Sequence, residues 1–240
     1  MLIQAALNGG TPRSEHPNVP LTPAELADSA RAAQVAGATM FHIHPRDTYG
    51  AQTLEAEYVL PAVAAVRAVT GLKVSVTTAI WAVNGDIRRR LSLVTEWDGP
   101  GRPDFASVNM NEPGIDELAD RLGILGIGIE AGVWTVDDAR TLGSRSFRRR
   151  IVRAVLEPVE RTPAAAVATA AEASAELARL GIDVPQVHHG YASATWDVIK
   201  TAAADGVGIR IGLEDTTVLP DGTQARGNAD LVSAAVSLIG

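Results

Sequence analysis

Residues 2–44 decide the fold, because they contain one complete strand–helix–strand unit. The apolar run Leu2-Ile3-Gln4-Ala5-Ala6-Leu7 stops at Asn8-Gly9-Gly10 and predicts a short buried strand. Thr22-Pro23-Ala24-Glu25 combines an N-cap, a first-turn proline and a capping-box glutamate, and predicts a helix that ends near Gly37. Ala38 to His44 is then a second strand. A helix between two strands favours parallel pairing of those strands.

The same alternation continues along the chain. Further strands are predicted at 72–77, 104–109, 126–130, 151–156, 184–188 and 207–213, and further helices at about 53–69, 86–96, 115–122, 136–142, 162–181, 191–204 and 228–239. Eight strands alternating with eight helices predict an α/β fold, a single (β/α)8 TIM barrel over residues 1–240. A doubly wound open sheet is the alternative. The sequence lacks its Gly-x-Gly-x-x-Gly fingerprint after the first strand, and lacks a phosphate-binding loop motif.

Composition excludes several classes of partner and of chemistry. The 240 residues carry a net charge of -7, which argues against nucleic acid and anionic membranes as partners. There is no cysteine, so thiolate chemistry and disulfides are excluded. The N-terminus has no basic segment before its apolar run, and no apolar stretch reaches the roughly 18 residues of a membrane span. We therefore expect a soluble cytoplasmic protein.

Polar residues recur where the predicted strands end. In a (β/α)8 barrel these positions face the active site, and a single one is usually a cap or turn residue, whereas so many at corresponding positions indicate a site. The residues are Asn8, His42, His44, Thr77, Thr78, Ser107, Asn109, Glu130, His188, Arg210, Glu214 and Asp215.

The stretch Phe41-His42-Ile43-His44-Pro45-Arg46-Asp47 carries the strongest chemical signal. Two histidines two residues apart on a strand point to the same face, and two imidazoles with one carboxylate form a known type of zinc site. Glu214 is a plausible third ligand, because strands two and eight of a barrel are separated only by strand one. The alternatives are histidines that are simply buried or on the surface, and a Glu214 salt bridge to Arg210 or Arg226.

Other polar residues are expected to be structural. His16 is predicted to lie on a surface loop, and the triplets Arg88-Arg89-Arg90 and Arg148-Arg149-Arg150 are predicted to be solvated, although they could contact a phosphorylated cosubstrate. His188 and His189 are adjacent, so they face opposite ways and at most one can line the site.

Several motifs together resemble the β-keto acid cleavage enzymes, nearly end to end. They are Asn8-Gly9-Gly10, Pro20 to Ala27, Ala36-Gly37-Ala38, the His-x-His-x-Arg of 42–46, Ser107-Val108-Asn109, Glu130, the block Gly208 to Asp215, and Asn228 to Val232. The combination of His-x-His-x-Arg with Arg-x-Gly-x-Glu-Asp is the specific part of the resemblance.

The resemblance implies a zinc-dependent barrel that condenses a β-keto acid with acetyl-CoA, giving acetoacetate and a new acyl-CoA. It implies His42, His44 and Glu214 as zinc ligands, and Asp215 as general base with Arg210 and Glu130 supporting it. Substrate contacts would be Thr77, Ser107 and Asn109. A fourth is Thr11, which replaces an acidic residue of amino-keto-acid members and so predicts a different keto acid. The resemblance also suggests a homotetramer, although this chain is shorter than family members around strands five to seven.

Two other functions stay open at this point. One is a metal-dependent hydrolase on the same barrel. Amidohydrolases carry His-x-His on the first strand and further histidines on strands five and six, but none of these three strands contains a histidine here. The other is a barrel that binds a ligand without catalysis.

Overall fold

Eight parallel strands close into a barrel in chain order, with the last strand pairing with the first. The computed structural model describes residues 1–239. The strands are β1 Ile3–Ala6, β2 Met40–Ile43, β3 Val74–Thr77, β4 Phe105–Asn109, β5 Gly128–Val133, β6 Ile151–Leu156, β7 Gln186–His188 and β8 Gly208–Ile211. The predicted (β/α)8 barrel is therefore confirmed.

A helix follows each strand and packs on the outside of the barrel. The helices are α1 Pro23–Ala36, α2 Ala56–Thr70, α3 Ile87–Thr95, α4 Ile115–Ile124, α5 Val136–Ser144, α6 Pro163–Arg179, α7 Thr195–Ala204 and α8 Asn228–Ile239. Short 3-10 turns occur at Ile80–Val83, Ser146–Arg149 and Ala192–Ala194. No helix within residues 1–239 has the length and apolarity needed to cross a membrane.

Local chemistry sets the helix ends as the sequence indicates. Thr22 accepts a hydrogen bond from the Glu25 amide while Glu25 reaches back to the Thr22 amide, which completes a capping box at the start of α1. Gly37 ends the helix with φ of 119°, a conformation that side chains with a Cβ avoid.

The two faces of each strand have different roles. Apolar side chains such as Phe41 and Ile43 point outward and pack, fully buried, under the helices. Their neighbours on the same strand point into the barrel, where His42 lies level with Ala6 of β1 and Ser75 of β3. This alternation places the polar side chains in the barrel interior and at its C-terminal mouth.

Three sequence-based expectations are wrong. β5 does not end at Glu130 but continues to Val133, so Glu130 lies inside the barrel rather than at its mouth. His16 is not on the surface, because its Nε2 lies 2.8 Å from the Ala225 carbonyl oxygen and the residue is 2% exposed. Arg90 is fully buried and forms an ion pair with Glu112, although its neighbour Arg89 is exposed as expected.

Candidate active site at the barrel mouth

Three potential metal ligands meet at the C-terminal mouth of the barrel. The Nε2 atoms of His42 and His44 are 3.1 Å apart. Glu214 Oε1 lies 3.3 Å from His44 Nε2, and its Oε2 lies 3.8 Å from His42 Nε2. The sequence therefore located three residues that the structure brings together, from β2, its following loop and the loop after β8.

The hydrogen bonds of the two imidazole rings place a proton on each Nδ1 atom. His42 Nδ1 donates to the Ser75 hydroxyl oxygen at 3.2 Å, because the hydroxyl proton is directed at Glu130. His44 Nδ1 donates to Gln52 Oε1 at 2.6 Å. Burial also holds the pKa of His42 well below its ordinary value, so this ring is neutral. The Nε2 lone pair of His42 thus faces His44 Nε2 at 3.1 Å.

This donor set fits a divalent cation. Facing lone pairs repel unless a proton or a metal lies between them, and the buried Glu214 Oε2 has no hydrogen-bond donor in the described chain. In a tetrahedral zinc site with bonds of about 2.0–2.1 Å, two ligand atoms lie roughly 3.3 Å apart. The separations of 3.1 Å between the two Nε2 atoms and 3.3 Å between His44 Nε2 and Glu214 Oε1 are close to that value. One ligand atom from each of the three residues lies within 4.8 Å of the other two.

Glycine and asparagine residues allow Glu214 to reach the two histidines. Gly9 has φ of +47°, and a Cβ there would lie 2.2 Å from Glu214 Cγ, so no larger residue fits. Asn228 at the start of α8 accepts from the Leu213 amide at 2.8 Å and donates to the Leu7 carbonyl at 2.8 Å. The segment before Glu214 is thereby fixed against the end of β1.

Arg210 connects Glu214 to Asp215. Its Nη2 donates to Glu214 Oε1 at 2.7 Å and to Asp215 Oδ1 at 2.8 Å. Burial tends to raise the pKa of Glu214, but the charge of Arg210 opposes it, and that pKa lies well below its ordinary value. Both carboxylates are therefore held by one buried guanidinium.

His189 lies on the other side of Asp215, and its role was not predicted. Its Nδ1 is 3.2 Å from Asp215 Oδ1, and its Nε2 is 3.4 Å from Glu157 Oε2. Burial opposes protonation of the ring, but these two carboxylates outweigh it and raise the pKa of His189 to about 9. His188 points away from the site into a cleft between α6 and α7.

A pocket at the barrel mouth is lined by His42, His44 and Glu214 and contains most of the predicted substrate contacts. Thr77, Ser107 and Asn109 line it together with Trp81, whose side chain is at the rim. Asn109 Nδ2 donates to Glu112 Oε1 at 2.8 Å, and the buried Arg90 pairs with that carboxylate. The pocket also includes Gln4, Gly132, Glu130, Val155, Glu157 and Arg210.

Two predicted site residues do not make the expected contacts. The Thr11 hydroxyl donates to the Leu213 carbonyl at 2.7 Å, and its side chain lines a neighbouring cleft, which Asp215 also lines, rather than this pocket. Glu130 does not contact Asp215, which it was expected to support, because Gln4, Ser75 and Arg153 are its partners. Polar Gln4 and Ser75 within otherwise apolar strands were the sequence signal for this interior cluster.

Solved structures with the same fold include ObcA. The structure of apo ObcA superposes with a TM-score of 0.74 and 18% identity, over 92% of this chain and 61% of ObcA. Its complex with oxaloacetate superposes with a TM-score of 0.70 and 16% identity. Its ternary complex with a C4-CoA adduct and oxalate superposes with a TM-score of 0.70 and 18% identity. Each match covers 92% of this chain and 63% of ObcA. The chain thus spans somewhat less than two thirds of the length of ObcA, and the likeness establishes the fold.

The family model of the β-keto acid cleavage enzymes matches residues 1–240. Since this match extends over the entire chain, the protein belongs to the β-keto acid cleavage enzyme family.

Proposed function

We propose that the protein is a zinc-dependent enzyme that exchanges acyl groups between a β-keto acid and acetyl-CoA. In the overall reaction the bond between C2 and C3 of the keto acid breaks, and C2 with its carboxylate joins the acetyl carbon to form acetoacetate. The thiol of CoA is transferred to the remaining acyl group. One observation carries this proposal: two imidazoles and a carboxylate converge beside the Arg210–Asp215 pair in a barrel of this family.

The ligands named in the ObcA structures support the two substrates. ObcA has been crystallised with oxaloacetate, which is a β-keto acid, and with a C4-CoA adduct. The present chain lacks more than a third of the length of ObcA, so the use of CoA by this chain is part of the proposal.

His42, His44 and Glu214 would hold the zinc ion. When bound there, zinc supplies a Lewis acid that polarises the keto carbonyl and stabilises negative charge on its oxygen. A site with three protein ligands leaves a position open for substrate, as catalytic zinc sites do.

Asp215 would act as the base that removes a proton from C2 of the keto acid and later returns it. Its carboxylate is 2% exposed, and Arg210 and His189 hold it from two sides. A base held by two partners loses little orientational freedom when substrate binds, which favours proton transfer.

The substrate carboxylate would bind among Thr77, Ser107 and Asn109. Their side chains lie at the ends of the adjacent strands β3 and β4, where Thr77 is level with Ser107. Glu112 holds one N–H of the Asn109 amide and leaves the other available for the substrate. Thr11 is not placed to contribute, because its hydroxyl is engaged by the chain itself.

The decisive experiment measures metal content and product together. Purified full-length chain should contain about one zinc ion per molecule and release acetoacetate from one member of a panel of β-keto acids, only when acetyl-CoA is present. His42→Ala should lose both zinc and turnover. His188→Gln is the matched control, because it removes an imidazole that faces the helical layer.

Each other outcome points to a different function. Product formed without acetyl-CoA would indicate a hydrolase. Ligand binding that His42→Ala leaves unchanged would indicate a barrel that binds without catalysis. Zinc-loaded protein that turns over no keto acid in the panel would reject the proposed reaction. We also propose that the protein is a cytoplasmic homotetramer. Light scattering on the purified chain tests its oligomeric state.

A further inference from the structure

The barrel interior directly below the metal ligands is polar. TIM-barrel interiors are usually filled by branched apolar side chains. Here Gln4, Ser75, Glu130 and Arg153 occupy it, from β1, β3, β5 and β6, and each is at most 9% exposed. Burial of polar side chains costs folding free energy unless all of them are paired, so we expect this cluster to have a function.

Glu130 is the centre of the cluster and is ionised. Arg153 Nε lies 3.0 Å from Glu130 Oε1, and Gln4 Nε2 donates to both carboxylate oxygens at 3.2 and 3.3 Å. Burial outweighs the charge of Arg153 and raises the pKa of Glu130 above its ordinary value, so the ionised form depends on that ion pair. A guanidinium does not lose its proton in proteins, and within residues 1–239 Arg153 has no second carboxylate within 4.0 Å. Protonation of Glu130 would therefore leave a buried charge unpaired.

The ionised Glu130 determines the direction of the next two hydrogen bonds. A carboxylate only accepts, so the single proton of the Ser75 hydroxyl points to Glu130 Oε2. The Ser75 oxygen must then accept from His42 Nδ1, which lies 3.2 Å away. His42 consequently carries its proton on Nδ1 and presents the Nε2 lone pair to His44 and Glu214.

We propose that Ser75, held by the Glu130–Arg153 pair, is a positioning residue that fixes the tautomer of His42 and so sets the affinity of the barrel mouth for its divalent cation. The inference rests on the proposed metal site and assigns a role to the interior cluster beneath it. Outer hydrogen-bond partners of metal-binding histidines are known to act in this way.

His44 is oriented by an independent partner, which isolates the role of Ser75. Trp81 Nε1 can only donate, and it points at Gln52 Oε1 at 3.3 Å, so that atom is the amide oxygen. Gln52 Oε1 therefore accepts from His44 Nδ1. Removal of the Ser75 hydroxyl changes only the His42 side of the site.

Zinc affinity of the Ser75→Ala variant tests the proposal. Metal-stripped, full-length protein is titrated with zinc against a chelating dye, and the affinity should fall about 10-fold to 100-fold relative to wild type. Thr39→Ala is the control, because it deletes a hydroxyl that hydrogen-bonds Ile3 at the opposite end of the barrel. Its zinc affinity should equal that of wild type. Equal affinities of wild type and folded Ser75→Ala would overturn the inference.

A second measurement needs no variant to fold at wild-type stability. Long-range proton–nitrogen spectra of ¹⁵N-histidine-labelled, metal-free wild type report which ring nitrogen is protonated, with His42→Ala used for assignment. We expect the Nδ1–H form of His42, and in Ser75→Ala a mixture of both forms. An Nε2–H form in wild type would reject the proposed role of Ser75. Wild type that binds no zinc while His42 is in the Nδ1–H form would count against the proposed function instead.

Discussion

Replacement of Gly9 by alanine tests whether the close approach of Glu214 to the loop after β1 creates the metal site. A Cβ at this position would lie 2.2 Å from Glu214 Cγ, 2.7 Å from its Cβ and 2.8 Å from its Cδ. Ordinary contact begins at 3.4 Å, so the Glu214 side chain must move by at least about 1.2 Å. Metal ligands tolerate displacements of about 0.2 Å.

The same substitution also strains the backbone, and this second effect can be separated. Alanine in the left-handed region costs about 1–2 kcal/mol, which in a chain of this size lowers Tm by roughly 2–8 °C. Gly71 has φ of +66°, and a Cβ there would meet nothing within 4 Å, so Gly71→Ala carries the strain without the clash. In the metal-free state Gly9→Ala should lose at least as much stability as Gly71→Ala, because its clash adds to the same backbone strain.

Zinc affinity distinguishes the two variants. Gly9→Ala should bind zinc more than about 100-fold more weakly than wild type, because it displaces a ligand, and loss of even an outer hydrogen-bond partner costs about 10-fold to 100-fold. Gly71→Ala should bind as wild type does. Wild-type affinity in Gly9→Ala, or an equal loss in Gly71→Ala, would refute the reasoning. Competition titration and thermal unfolding of the stripped proteins provide both measurements.

Three further predictions concern charge. Arg90→Met should destabilise the fold by about 3–5 kcal/mol in denaturant titrations, because it leaves Glu112 buried and unpaired, whereas Arg89→Met should cost less than about 1 kcal/mol. Burial lowers the pKa of His188 to about 4, so below pH 6.5 the unfolded state takes up the proton first and stability falls by up to about 3 kcal/mol towards pH 4. His188→Gln should remove this part of the pH dependence, and an unchanged slope would contradict it. Asp215→Asn should lower turnover about 10²-fold to 10⁴-fold with zinc content unchanged, and zinc loss would contradict a role as base.

The alternation of strands and helices was readable from local patterns. Thr22 and Glu25 mark a helix start with hydrogen bonds that span three residues, so a short window of sequence contains the whole cause. The convergence of His42 with Glu214, 172 positions apart, followed from strand order in a closed barrel together with the family motifs.

The sequence patterns did not predict the burial of residues whose partners are distant in the chain. The predicted end of the fifth strand at Glu130 is wrong, because Arg153 on the neighbouring strand pairs with this carboxylate and a local pattern does not contain that partner. His16 is buried because it meets Ala225, which is 209 positions away. Arg90 differs from its two neighbours because it faces Glu112 and the Pro113 carbonyl.

The two hydrogen bonds of Asn228 have a consequence for the order of synthesis. They join the end of the first strand to the segment that carries Glu214, and they come from the last helix. On the ribosome His42 and His44 emerge long before Glu214, and Glu214 emerges before the helix that braces it. Capture of a metal by all three residues would therefore follow closure of the barrel, and a bound ion would report that the first and last strands have paired.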